Sequence, residues 1–405
     1  MALPALSHSD FRRYFLGSLL NVNAVWIQRV ALVWIAWDLT GSAGFVGLIA
    51  GLSLVPSLLT GPVFGVWVDR TEILSAAAKT TSSMIVLLGL IIAVLALGWL
   101  SPLVLVIASL AVGTATSAHH PVRMSLAPRL VPPELMSGVI ALTAVNFNVA
   151  RLIAPVIAGA LIASVGVLAT LAIAAILLAP MLLILPTLSP RALPSKTCPA
   201  PSLGTAFREG VRHARSTPLI WRCILVMAVY TFAARGVLEL LPVIADGEFG
   251  RGATGLGLLT GAAGAGALVS ASFLALSADR APTTTDIPTS VYVALLVSQI
   301  LVALIAVTPS WSLMLVLIAC LGASSTMVGV SLQTVIQNRL VDEMRGRVMS
   351  LWIMTGFGMA ALGAFAIGTV AQFTSIGAAS AGSGLIGLIL VSVLLFAPKG
   401  TFAAR

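Results

Sequence analysis

From Gly47 to Arg70 the chain reads GLIAGLSLVPSLLTGPVFGVWVDR, an apolar and small-residue run that stops on Asp69-Arg70. A second run, Gly257 to Arg280, reads GLLTGAAGAGALVSASFLALSADR and stops on Asp279-Arg280. A shift of 210 positions puts Gly47 on Gly257, Gly51 on Gly261 and Asp69 on Asp279. About 20 apolar residues in a helix span the hydrocarbon core of a bilayer, about 30 Å. Both runs therefore read as membrane helices ending in a charged turn on the same side, and the chain reads as one helical unit used twice.

The rest of the chain has to follow. Only 9% of the 405 residues are charged and 59% are hydrophobic, against about 25% charged in a soluble domain. Such a chain cannot cover a water-facing surface. Alternating ten-residue segments of barrel type are absent, so the spans are helices. Candidate spans are about 14–37, 44–68, 77–99, 102–120, 138–164, 167–188, 219–245, 254–277, 288–307, 310–335, 346–371 and 377–397. The expected fold is an all-α membrane protein of twelve transmembrane helices in two pseudo-symmetric six-helix halves. Residues 1–188 form the first bundle, 189–217 a polar, Pro-rich cytoplasmic linker loop, and 218–405 the second bundle. The repeat continues beyond the opening runs. Arg129-Leu130-Val131 resembles Arg339-Leu340-Val341, and a shift of 209 puts Gly159 on Gly368. Two halves of the same orientation are what parallel repeats about the membrane normal produce.

Twelve spans put both termini and the linker on one side. Of the 22 Lys and Arg, three lie deep inside spans (Arg29, Arg151, Arg235), Arg251 falls on the opposite side, and the remaining eighteen lie at or beyond the span ends on the side of the termini. The positive-inside rule makes that side the cytoplasm. Topology also accounts for the net charge of +9 without a nucleic-acid partner, although a lipid-binding role for the basic linker stays open. No small-residue cleavage site follows the N-terminal Arg12-Arg13, so the first apolar run is expected to be retained. Cys198, Cys223 and Cys320 lie far apart, without disulfide or metal spacing, and His119-His120 lacks further ligands. Gly261, Gly264 and Gly266 precede no Gly-Lys-Ser/Thr and follow no strand. No cofactor, metal or ATPase motif is expected, and no nucleophile-base set marks an enzyme. Energy has to come from an ion gradient or from the substrate's own gradient.

This combination resembles the major facilitator superfamily. Trp26-Ile27-Gln28-Arg29-Val30-Ala31-Leu32, Asp38-Leu39-Thr40-Gly41-Ser42 and Asp342-Glu343-Met344-Arg345-Gly346-Arg347-Val348 look like the branch containing bacterial enterobactin exporters and macrolide or multidrug efflux proteins. The resemblance covers nearly the whole chain. It implies a multi-pass protein of the bacterial inner membrane, monomeric in the lipid bilayer, that exports a small-molecule substrate in exchange for protons. The loop motif Gly65-Val66-Trp67-Val68-Asp69-Arg70 departs from the family pattern, being followed by Thr71-Glu72-Ile73-Leu74 rather than Gly and a basic cluster. In the antiporter motif Ala150, Ala154-Pro155 and Ala158-Gly159 place Ala where the family has Gly. Ala is still small enough for close helix approach.

Ionisable residues inside a span are costly and mark function by default. Arg235 and Glu239 are four apart, share a helix face and can pair. Either they neutralise each other in the bundle, or Glu239 carries the proton while Arg235 and Arg29 set when it is bound. The 210-residue shift puts Arg29 on Glu239, so helices 1 and 7 would present opposite charges across the pseudo-symmetry axis. Arg151, four residues before Pro155, serves either carbonyls freed by the proline or the substrate. Asn21, Trp26 and Gln28 on helix 1, Asn146 on helix 5 and Tyr230 on helix 7 are candidate substrate contacts, with interhelical hydrogen bonds as the alternative. Gly65, Asp69, Arg70, Asp279 and Arg280 are expected to gate the cytoplasmic face. Ala154, Pro155 and Gly159 form the antiporter motif. The reading is a proton-driven exporter of an amphipathic siderophore or drug-like compound. A lipid or lysolipid flippase on the same fold, and a non-transporting receptor or assembly factor, are the alternatives.

Overall fold

The structure is a computed structural model and describes residues 3–191, 203–277, 287–340 and 342–396. Among these residues there are helices and no strands. The helices are α1 (Ser9–Thr40), α2 (Ala43–Arg70), α3 (Ile73–Ala96), α4 (Pro102–Leu126), α5 (Met136–Ile184), α6 (Leu203–Ser216), α7 (Pro218–Tyr230), α8 (Gly236–Leu238), α9 (Gly252–Ser277), α10 (Thr289–Leu304), α11 (Trp311–Gln337), α12 (Asp342–Phe373) and α13 (Ile376–Phe396).

Among the described residues ten helices are long and apolar enough to cross a membrane, with a shorter apolar stretch at Ala43–Ser57 in α2. One of the ten, Gly138–Thr187, has 50 residues. At 1.5 Å per residue that is about 75 Å, more than twice the hydrocarbon core. The backbone breaks at Gly166, whose φ of 83° is a left-handed value that glycine adopts without a Cβ penalty. α5 therefore supplies two spans. With α2 counted as a span, the expected twelve follow.

Three elements differ from their sequence reading. The fourth span, expected to stop at 120, runs through Pro121 to Leu126. The seventh is not one regular helix. α7 passes into a π-helical turn at Thr231–Arg235, the short α8 follows, and a second π-helical turn spans Val243–Glu248. Within the segment read as a linker loop, Leu203–Ser216 is helical.

By contact the chain forms two compact units. One is Met1–Leu39 with Leu52–Ala200; the other is Thr40–Gly51 with Pro201–Arg405. In the first, a core of Phe11, Tyr14, Ile73, Val122, Leu126, Val139 and Met181 ties one end of α1, α3, α4 and α5 together. At that end Glu72 caps α3, its carboxylate accepting from the backbone N–H groups of Leu74 and Ser75 at 2.8 and 2.5 Å. That cap satisfies two of the donors a helix start leaves open.

In the second unit, α9 and α11 lie close because both lack side chains where they meet. A Cβ on Gly266 would fall on the Ala319 carbonyl, and one on Gly322 on the Ala263 carbonyl. Small residues are how membrane helices reach this distance. α6 packs through Gly210 against the backbone of Arg347, and Glu209 pairs with the Arg347 guanidinium at 3.0 Å.

Candidate functional site

The first unit buries a polar stripe on α1. Tyr14, Ser18, Asn21 and Gln28 fall within about 80° of one another at 3.6 residues per turn, and all four are buried. α4 meets this stripe with His119 and Arg123, one turn apart and each only 8% exposed. His119 Nε2 lies 2.8 Å from Asn21 Oδ1, and Nδ1 lies 3.2 Å from Thr80 Oγ1 of α3. The ring thereby joins α1, α3 and α4. The Thr80 hydroxyl also donates to the Ala76 carbonyl at 3.0 Å. With that proton committed, Thr80 accepts from His119 Nδ1–H. The Asn21 amide then serves a neutral ring by donating Nδ2–H to Nε2, or a protonated ring by presenting Oδ1. The amide orientation is set by the network.

Arg123 is the charge in this cluster. The Tyr14 hydroxyl donates to its carbonyl at 3.3 Å, and its guanidinium stands 5.7 Å from the centre of the Phe147 ring. Phe147 in turn meets Trp26 edge to face at 5.9 Å, and Arg29 lies 5.5 Å over the Trp26 ring. Cation–π contacts of this kind strengthen as they are desolvated. On α5, Asn146 donates to Ser18 Oγ at 3.2 Å.

Four buried polar groups of the cluster each keep an atom with no hydrogen-bond partner among the described residues: the Asn21 amide (Nδ2, or Oδ1 once the amide is turned to serve a neutral ring), Gln28 Oε1, Asn146 Oδ1 and Arg123 Nε. A buried polar atom left unsatisfied costs about 1–3 kcal/mol. The same cluster holds two cations, Arg123 and Arg29, and two aromatic rings, Trp26 and Phe147.

The second unit places its candidates on irregular backbone. Tyr230 is fully buried as the last residue of α7. Arg235 ends the first π-helical turn, and Glu239 follows α8. The Glu239 N–H donates to the carbonyls of both Arg235 and Gly236, each at 3.2 Å. The four-residue register therefore holds, and the two half-buried side chains share a face. Single π turns inside α-helices occur frequently at functional sites.

The other candidates are placed as follows. Arg151 is half-buried in α5. Ala150, Ala154 and Ala158 are fully buried, and Pro155 and Gly159 are buried beside them, so this stripe is a packing surface. Gly65 and Asp69 lie in α2, and Arg70 is exposed at its end. Asp279 and Arg280 lie outside the described residues. No group of three or more His, Cys, Asp or Glu that could hold a metal ion occurs among the described residues.

Sequence reasoning missed Arg123, Thr80, Tyr14 and Phe147, and passed over His119 as a metal candidate. Arg123 was counted among the charges outside the spans because Pro121 was read as the end of helix 4. The available signal was spacing, since His119 and Arg123 are four apart across that proline and share a face if the helix continues.

Residues 1–400 match the family model described as transmembrane secretion effector. Among curated relatives, the enterobactin exporter EntS of Shigella boydii serotype 4 (strain Sb227) is 26% identical over 96% of this chain and 91% of its own length. EntS of Escherichia coli O9:H4 (strain HS) is likewise 26% identical over the same shares. Among solved structures, the nucleoside transporter NupG superposes with a TM-score of 0.72 at 13% identity, covering 96% of this chain and 98% of NupG. A bacterial homologue of the human lysosomal transporter Spinster gives 0.67 at 16%, covering 96% and 95%. These two likenesses concern the fold alone.

Proposed function

The chain belongs to the transmembrane secretion effector family within the major facilitator superfamily of secondary transporters, and from that premise we propose that it exports an amphipathic small molecule, a siderophore or drug-like compound, in exchange for protons. The observation that carries the proposal is the buried cluster of the first unit. It puts Arg123 and His119 inside a membrane bundle, beside Trp26 and Phe147, with four polar atoms unmet. Charged and polar groups buried at that end of the bundle are costly unless a partner or substrate meets them. Full-length similarity to enterobactin exporters supports export as the direction.

In this reading Asn21, Trp26, Gln28, Asn146 and Arg123 hold the substrate, with Arg151 and Tyr230 as further contacts. Glu239 carries the proton, and Arg235 and Arg29 set when it is bound. Gly65, Asp69 and Arg70, with Asp279 and Arg280, gate one face during alternating access, and Ala154, Pro155 and Gly159 let helices slide. The protein acts as a monomer in a bacterial inner membrane with both termini in the cytoplasm.

The test is transport into inside-out vesicles, with and without an imposed pH gradient, across a panel of siderophores, cationic dyes and lysolipids. Gradient-dependent accumulation of a siderophore or dye is expected. Accumulation of lysolipid alone would move the protein to the flippase class.

A further inference from the structure

A second site lies in the first unit, beside the polar cluster and sharing Thr80 with it. α2, α3 and α4 leave an open groove of about 600 Å³, lined by Phe64, Trp67, Lys79, Thr80, Ile107 and Ala118 among others. Its walls are apolar along α4. The hydroxyl there that lines the groove, Thr114, is spent on the Leu110 carbonyl at 2.8 Å, and on α3 the Ser83 hydroxyl donates to the Lys79 carbonyl at 2.8 Å.

Polarity in the lining is concentrated at one end. Lys79, two turns into α3, is exposed and is the lining residue that carries a charge. Trp67 stands near the same end of the bundle, edge to face with Phe64 at 6.2 Å. Along α4 the lining runs from Ala118 to Ile107. Eleven steps of 1.5 Å make about 16 Å, half of the roughly 30 Å hydrocarbon core. The groove is therefore one leaflet deep, with an ammonium and an indole where the headgroup level falls. Trp favours that level, and long basic side chains reach toward it.

We propose that this groove binds an anionic phospholipid, its phosphate on Lys79 and one acyl chain along Ala118 to Ile107. The floor of the groove includes Thr80, which holds the His119 ring. A seated lipid thus touches the joint of α1, α3 and α4 directly. The inference goes beyond transport and does not depend on any substrate.

The purified full-length chain in detergent is titrated with phosphatidylglycerol or phosphatidylcholine of the same acyl chains, and bound lipid is counted by native mass spectrometry. The wild type should retain one phosphatidylglycerol in preference to phosphatidylcholine. Lys79→Gln should reduce that preference about fivefold, the worth of one basic residue near an anionic surface. Ala111→Phe, which fills the groove, should lower retention of both lipids. Brominated acyl chains should quench Trp67, read as the difference between wild type and Trp67→Phe, a measurement that needs no change in the groove's charge. The proposal is overturned if Lys79→Gln keeps the full preference, if the Trp67 difference is absent, or if inorganic phosphate displaces the lipid and so reassigns Lys79 to a free anion.

Discussion

Helices 1 and 7 occupy matching places in the repeat, yet they are built differently. α1 is one unbroken helix of 32 residues, and Asn21 and Ser18 on it are buried and tied to α4 and α5. The seventh span is interrupted by two π-helical turns, with Glu239 between them; its Arg235 and Glu239 are half-buried, as Arg29 of α1 is. A regular helix with a locked polar face suits recognition, where contacts must be preorganised. A span with two irregular turns has backbone bonds that can change register at small cost, which suits a group whose charge must change with conformation. From this comparison we propose that recognition rests mainly on the first unit and coupling mainly on the second.

The largest expected effect tests the recognition half. Arg123→Ala should weaken substrate binding at least thirtyfold, about 2 kcal/mol for a lost charge-assisted contact, measured by ligand-induced fluorescence change. Arg123→Lys should recover part of it. Unchanged affinity in the alanine variant would move recognition out of the first unit.

Next in size is a paired test of the packing. A Cβ on Gly236 would meet the backbone of Gly363 at 2.8 Å, whereas one on Gly17 would meet the tip of the Ile184 side chain at 2.8 Å. Backbone cannot yield and a side-chain tip can. Gly236→Ala should cost about 1–3 kcal/mol and Gly17→Ala less, seen as a larger drop in Tm for the former. Equal drops would remove the contrast between a tightly fitted seventh span and a more forgiving first.

A smaller effect is expected from the joint around His119. Thr80→Val should cost about 0.6 kcal/mol, the average for an interhelical hydrogen bond in a membrane bundle, measured by unfolding in mixed micelles. His119→Ala should cost more, because it releases two partners. The smallest effect should come from Glu209→Gln. Its pair with Arg347 is partly exposed and is worth under about 1 kcal/mol.

Hydropathy made the spans readable, because a bilayer demands about 20 apolar residues each time. Asn21, Gln28 and Asn146 stood out as polar residues inside such runs, and all three are buried where a partner or substrate is required. Arg123 was hidden by two sound rules acting together. Proline usually ends a helix, and basic residues gather at the cytoplasmic ends of spans. The π-helical turns left no compositional trace, since they change only which carbonyl a given N–H reaches. α6 was obscured by its surroundings. Phe207, Val211 and Ala214 do recur at helical spacing, but they are few and stand among Arg208, Arg212 and Arg215 just after a Pro-rich stretch.

The division of labour between the two regions is tested most directly by Glu239→Gln in inside-out vesicles. Substrate binding and counterflow exchange should persist, while accumulation driven by a pH gradient falls to the level seen without a gradient. Wild-type accumulation against a gradient in that variant would contradict the account, leaving Glu239 a structural neighbour of Arg235 and the proton, if one is carried, on another group.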